Sequence, residues 1–161
     1  MKNLITVLIV ASGFFFTKAI CAQEFISDDQ QAIMDVIQTA YVDGLQNEGD
    51  LEKVDSGFHP GFELLGIGNG NQMWKLPIYN WKETTANAVT EGKKPRKEDE
   101  LVSVNFITVD VAGTAASVKL EFFVGDKITY IDYLSLYKFE DGWKIVSKIF
   151  FKIPEKETKK D

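Results

Sequence analysis

The sequence predicts an α+β domain in which N-terminal helices pack on one face of a curved antiparallel sheet. Three observations carry that class. Helical spacing with cap signals is confined to the front half of the chain, and a short hairpin pattern interrupts it. From Leu101 onward, four long stretches rich in β-branched and aromatic residues follow one another with only tight-turn residues between them. Helices first and a strand meander afterwards is the order of an α+β domain.

The elements follow in order. Ser27-Asp28-Asp29-Gln30 is a capping box, the Ser27 hydroxyl accepting from a free backbone N–H while Gln30 reaches back to the cap. Ile33, Ile37, Ala40, Tyr41 and Leu45 then recur at steps of three and four, one face of a helix running to about Gly49. Asp50 caps a shorter helix through Leu51 and Val54, which Ser56-Gly57 ends. Residues 62–67 form a strand, Gly68-Asn69-Gly70-Asn71 a tight turn, and residues 72–76 the return strand. Pro77 opens a third helix through Trp81, Thr85, Ala88 and Val89, ending near Gly92. Residues 102–111, 115–124, 127–139 and 143–153 are the four long strands, separated by Ala112-Gly113, Gly125-Asp126 and Glu140-Asp141-Gly142. No repeat and no internal linker interrupts 23–154, so a single domain is expected there. The tail 155–161 is charged, lacks apolar residues and is expected to be disordered.

Residues 1–22 read as a secretory signal peptide, with a basic start at Met1-Lys2-Asn3, an apolar run over 4–16 and small residues before a cut after Ala22. Lys18 closes the run short of the about 20 apolar residues that a bilayer span needs, so a secreted or periplasmic chain without a membrane span is expected. Cys21 offers a second reading, a lipid-anchored N-terminal cysteine. Lys18 and Ile20 depart from that pattern, so cleavage after Ala22 is preferred. The cut removes Lys2, Lys18 and the sole cysteine; 18 basic groups fall to 16 against 24 acidic ones, a net charge of −8. Without thiols the mature chain must rely on a packed core, and about 140 residues suffice for one. The acidic balance argues against nucleic acid as a partner, since binding a phosphate backbone needs clustered Lys and Arg. The basic run Lys93-Lys94-Pro95-Arg96-Lys97 lies between acidic residues and reads as a solvated loop.

Tyr41 and Gly44 with Asp50, then Phe58-His59-Pro60, then Asp132-Tyr133-Leu134 with Leu136, and finally Gly142-Trp143-Lys144-Ile145 with Lys148 and Phe150 carry a resemblance. In their order and spacing they resemble the secreted bacterial "putative lumazine-binding" family of the nuclear transport factor 2-like (SnoaL-like, cystatin-like) superfamily, over nearly the whole mature chain. The resemblance implies a cone with an internal pocket, commonly a homodimer joined through the outer sheet face. The superfamily includes ketosteroid isomerases, dehydratases and polyketide cyclases as well as members without activity, so the fold does not deliver the function.

Strand alternation nominates pocket residues. If Phe139 to Trp143 is a type I turn with Gly142 in a left-handed bulge, Phe139 faces Trp143. Asp132, Leu134, Leu136, Val146, Lys148 and Phe150 then share one face, with Tyr133, Ser135, Tyr137, Ile145, Ser147 and Ile149 on the other. A two-residue Asp-Gly turn would instead put Lys148 across the sheet from Asp132; the bulged turn is expected, because it places the ionic pair on one face. A charged pair among apolar neighbours is costly to bury unless matched, and two readings stay open: a structural ion pair, or a pair that orients a ligand or moves a proton.

Tyr41 lies on the apolar helix face, where its phenol is either satisfied by the fold or free to hold a ligand carbonyl. Trp74, Trp81 and Tyr130 are candidate flat walls for a planar or apolar ligand, with core packing as the alternative. His59 suits a general base, yet Pro60 restrains it to an extended conformation that fits a hinge between the second helix and the first strand. Glu63 and Glu83 carry base chemistry without distinguishing features. One histidine and no mature cysteine make a metal site unexpected. Gly66-Ile67-Gly68-Asn69-Gly70 lacks the helix that a phosphate loop requires, so no cofactor is expected. The expected function is a small-ligand-binding or interaction module. The alternative is a cofactor-independent isomerase, dehydratase or cyclase using Tyr41 with Asp132 or His59, and a third reading is a dimerising structural protein that contacts its copy through Tyr133 and Tyr137.

Overall fold

The computed structural model of the protein describes residues 26–154. The signal peptide, the Cys21 anchor and the charged tail lie outside the described residues. The first helix starts at its cap signal: Ser27 Oγ accepts from the Gln30 amide at 3.2 Å, and the Gln30 side chain accepts from the Ser27 amide at 2.9 Å. Two donors with no intrahelical partner are thereby satisfied.

Helix α1 covers Asp28–Val36 and passes directly into a π-helical segment, Ile37–Glu48. An ordinary α-helix to Gly49 was the expectation from spacing, and here it is corrected. Hydrogen bonds that reach five residues instead of four widen the turn; Val42 and Gly44 are buried together with Ile37, Ala40, Tyr41 and Leu45, Gly44 against Lys53 and Asp50. Gly49 closes the segment at φ 79°, and its amide and that of Asp50 both donate to the Gly44 carbonyl. Only glycine adopts that conformation at no steric cost.

Asp50 caps α2, Leu51–Gly57, accepting from the amides of Glu52 and Lys53. Gly57 is the point of contact between α2 and the helix before it. A Cβ there would sit 2.4 Å from Ala40 Cβ and 3.0 Å from Val36 Cγ1. Gly57→Ala is therefore expected to lower stability by about 1–3 kcal/mol through overpacking, read as a lower urea midpoint with unchanged far-UV circular dichroism.

Strand β1, Phe58–Ile67, follows α2 with no intervening residue. The predicted hinge at Phe58-His59-Pro60 is thus the start of the strand itself, and the strand begins four residues earlier than the apolar run suggests. It pairs parallel with the last strand, Phe58 opposite Ile145 and Glu63 opposite Ser147, with an irregularity between that accommodates Pro60. The chain continues as β2 (Met73–Pro77), α3 (Ile78–Thr90), a single 3₁₀ turn (Glu98–Glu100), β3 (Val102–Ala112), β4 (Ala115–Val124), β5 (Lys127–Phe139) and β6 (Gly142–Lys152). The sheet order is β2-β1-β6-β5-β4-β3, antiparallel throughout except at β1–β6.

The β5–β6 turn differs from the bulged form expected. Phe139 pairs with Gly142, Lys138 with Trp143 and Leu136 with Ile145, which is a two-residue turn over Glu140-Asp141. The extra residue is taken up further along, where Ser135 pairs with Ser147 and leaves Val146 as the bulge. Ile145 is therefore buried on the inner face beside Trp143, not on the outer one. Past the bulge, Leu134 faces Lys148 and Asp132 faces Phe150, so Asp132 and Lys148 do share the inner face.

The helices lie against that concave face and are tied down at both ends. Asp29 accepts from Lys138 Nζ at 2.7 Å and from Trp143 Nε1 at 3.0 Å. Asn47 exchanges two hydrogen bonds with the backbone of Val102, at 3.0 and 2.8 Å. Between these ties Ile33, Ile37 and Leu45 pack against Val118, Leu120 and Leu136 in one apolar core.

Candidate functional site

The bulge at Val146 and the π-helical segment together position the site. The first turns Lys148 inward, and the second supplies Tyr41 from the facing helix. Tyr41, Asp132 and Lys148 are 1%, 0% and 6% exposed. Tyr41 Oη donates to Asp132 Oδ2 at 2.8 Å, Lys148 Nζ lies 2.6 Å from the same oxygen, and Lys148 also donates to Tyr41 Oη. The ammonium is ringed by aromatic faces, 4.6 Å from the centre of Tyr41, 5.6 Å from Phe122 and 5.7 Å from Phe150. Those faces offset part of the cost of removing a cation from water. Asp132 Oδ1 is buried without a hydrogen-bond partner among the described residues.

A cavity of about 290 Å³ opens onto this triad, with Tyr41, Lys148, Trp81, Phe122, Tyr130 and Phe150 among its lining. Asp132 does not line it; the carboxylate stands behind Tyr41 and Lys148. A direct role for Asp132 on a reacting atom is thereby replaced by an indirect one, because the two groups in front occupy its accessible oxygen. Burial pulls the Lys148 amine below its ordinary range despite the opposing pull of Asp132. Burial first, and then the neighbouring carboxylate, push the Tyr41 phenol well above 10. The phenol is a firmly protonated donor, and the amine gives up its proton more readily than a surface lysine does.

The other sequence candidates are placed as follows. Trp81, Tyr130 and Phe150 reach the cavity wall, their rings linked through Phe122 and Tyr41 at centroid separations of 5.5 to 6.2 Å. Trp74 is not in the cavity lining, although its ring lies 6.1 Å from that of Phe150. It lies on β2, 39% exposed, over Gly66, which leaves room for the indole beside Phe150. Strand alternation puts it on the same face as Leu64 and Leu76, one pair further along, because Trp74 pairs with Gly66 and Leu76 with Leu64. His59 is also remote from the triad. Its ring stacks on Phe139 at 4.8 Å and its Nδ1 accepts from the Gly61 amide, in a separate depression with Phe58 and Lys144. Glu63 is held by Lys75 at 2.8 Å.

Sequence reasoning missed Arg96 and Gln46 at the cavity. The basic run read as a solvated loop folds back onto the end of the π-helical segment. Arg96 Nε donates to the Gln46 carbonyl at 2.8 Å, the Arg96 amide donates to Asn47, and Lys94 donates to the same Gln46 carbonyl. Free carbonyls at a helix C-terminus attract cations, and nothing in the local charge pattern shows which loop will answer them. Burial, with Arg96 beside it, lowers the Lys94 pKa to about 8. Among the described residues no group of three or more His, Cys, Asp and Glu side chains comes together as a metal site would need, and no helix is long and apolar enough to cross a membrane.

The family model described as "putative lumazine-binding" matches residues 28–151. A nuclear transport factor 2-like protein of unknown function from Shewanella baltica superposes with a TM-score of 0.60, at 24% identity over 78% of this chain and 94% of that one. A second such protein, from Methylobacillus flagellatus, superposes at 0.59 with 21% identity over 81% and 97%. The aldolase FrzH of Cladobotryum sp. is 27% identical over 74% of this chain and 90% of its own.

Proposed function

The chain belongs to the "putative lumazine-binding" family of nuclear transport factor 2-like proteins, and on that premise we propose that it holds one small, planar, largely apolar molecule inside the cone, with a hydrogen-bond acceptor of that molecule seated on Lys148. The observation that carries this reading is the cavity of about 290 Å³ whose aromatic walls end at a buried amine and phenol. An ammonium has three donors. Two are engaged by Tyr41 and Asp132, so the third is left for a carbonyl or a ring nitrogen. Trp81, Phe122, Tyr130 and Phe150 supply flat faces. The volume lies at the lower end of the roughly 300–1,000 Å³ typical of small-molecule sites and fits one or two rings.

Titration calorimetry with acetophenone as the probe tests it. Wild-type protein is expected to bind, and Leu64→Trp, which fills the cavity from β1, is expected to bind at least tenfold more weakly while keeping its circular dichroism spectrum. Equal binding by the filled variant would place the ligand elsewhere.

A second reading, cofactor-independent proton transfer on a carbonyl substrate, is favoured by the convergence of Tyr41, Asp132 and Lys148. The similarity to an aldolase supports it. In that reading Tyr41 and Lys148 stabilise a developing oxyanion by hydrogen bonding in a dry site, and Asp132 acts only through them. His59 is too remote to take part.

We also propose that the chain is exported and cleaved after Ala22, so that the mature protein begins at Gln23, and that it dimerises through the outer sheet face. Tyr133, Tyr137, Ile149 and Phe151 are 44% to 58% exposed there, an apolar patch of the kind that marks an interface. N-terminal sequencing of protein recovered from the periplasm or medium checks the first proposal. Light scattering at high concentration checks the second, and a monomer would contradict it.

A further inference from the structure

We propose that Lys148 is a carbonyl-trapping amine, forming a covalent imine with an aldehyde or ketone that enters the cone. The inference rests on the ligand site proposed above and adds a reaction to it.

Three features of the geometry favour this chemistry. Lys148 lines the cavity while being 6% exposed, so a carbonyl compound held between Trp81 and Phe150 is delivered to the amine. Asp132 Oδ2 lies 2.6 Å from Nζ and can take its proton, leaving a neutral amine beside a neutral acid. Tyr41 Oη touches Nζ and Asp132 Oδ2 alike, a bridge along which a proton moves between them. Burial of the amine favours the same neutral form.

The steps balance. The ammonium gives one proton to Asp132, and the amine nitrogen attacks the carbonyl carbon to form a C–N bond as the C=O pair moves to oxygen. A second proton passes from nitrogen to that oxygen, giving a carbinolamine. Tyr41 Oη gives its proton to the hydroxyl and takes the one held by Asp132, the C–O bond breaks, and water leaves. The product is a protonated imine on Lys148 beside the Asp132 carboxylate, so the pair ends with the charges it began with. No oxidant, metal or cofactor is needed.

The test uses full-length mature protein at pH 7 with benzaldehyde at about one equivalent and cyanoborohydride, which reduces an imine to a stable benzyl amine. The expected result is a single benzyl adduct mapped by peptide mass spectrometry to Lys148, ahead of every surface lysine. Lys148→Arg keeps the positive charge opposite Asp132 and should lose that adduct. Labelling scattered over surface lysines in the wild type, with Lys148 unmodified, would overturn the inference. Calorimetry with acetophenone separates the two proposals. Binding without a Lys148 adduct leaves the ligand site standing and removes the imine; absence of binding together with absence of an adduct removes both.

Discussion

Asp132→Ala is expected to destabilise the fold by about 3–5 kcal/mol, the largest effect of any single substitution at the site. The reason is the partner it abandons. Lys148 is 6% exposed, its nearest carboxylate oxygen is 2.6 Å away on Asp132, and the remaining neighbours are aromatic rings and the Tyr41 hydroxyl. Removing the carboxylate leaves a cation without compensation in an apolar cone, where it must deprotonate or draw in water. The paired substitution Asp132→Leu with Lys148→Met removes both charges, and it is expected to recover wild-type stability or exceed it by about 1–4 kcal/mol. Urea unfolding of the two variants measures the difference. The double variant is also expected to lose acetophenone binding, because the free ammonium donor goes with the pair. Stability recovered without ligand binding would show that this pair is kept for what it holds and not for the fold.

Tyr41→Phe is expected to reshape the alkaline limb of stability as well as to cost about 1.5–3 kcal/mol at neutral pH, the worth of hydrogen bonds to charged groups. The Tyr41 phenol is held well above its ordinary 10 by burial and by Asp132. Above pH 10 the unfolded chain therefore loses a proton that the native chain keeps. Stability must fall as pH rises through that window, because the native state then binds more protons than the unfolded one. The Lys148 amine contributes with the opposite sign: its native pKa lies below 10.5, so its share of stability rises with pH up to that value. Phenylalanine removes the first contribution and leaves the second. The stability gap between wild type and Tyr41→Phe should accordingly narrow as pH climbs beyond 10, measured by thermal denaturation at fixed ionic strength. A constant gap would mean that the phenol is not the buried, protonated donor described here.

Much of this architecture is legible in local chemistry. The Ser27 cap, the Asp50 cap, Pro77 ahead of α3 and the glycine turns are short-range signals, and each element they delimit is present. The π-helical segment is not legible, because Ile33, Ile37, Ala40, Tyr41 and Leu45 fit an α-helix well; the departing residue is Val42, which is fully buried off that stripe. Strand alternation pairs Asp132 with Lys148, but through a bulged turn that the structure does not contain. The turn is tighter than expected and the compensating bulge falls at Val146, so the face assigned to Lys148 is correct while that assigned to Ile145 is not. The bulge falls where β6 also pairs with β1, Phe58 opposite Ile145 and Glu63 opposite Ser147, a long-range contact that the turn residues do not report. Arg96 was hidden for a similar reason: its partner is the Gln46 carbonyl, fifty residues back along the chain.

The most direct measurement is a crystal structure of the protein soaked with acetophenone. The ring is expected between Trp81, Phe122 and Phe150, with the ketone oxygen within hydrogen-bonding distance of Lys148 Nζ and Asp132 still behind the amine. A cone whose interior is filled by its own side chains, or a ligand seated only on the outer face beside Tyr133 and Tyr137, would contradict the assignment of Tyr41 and Lys148 as the floor of a binding site.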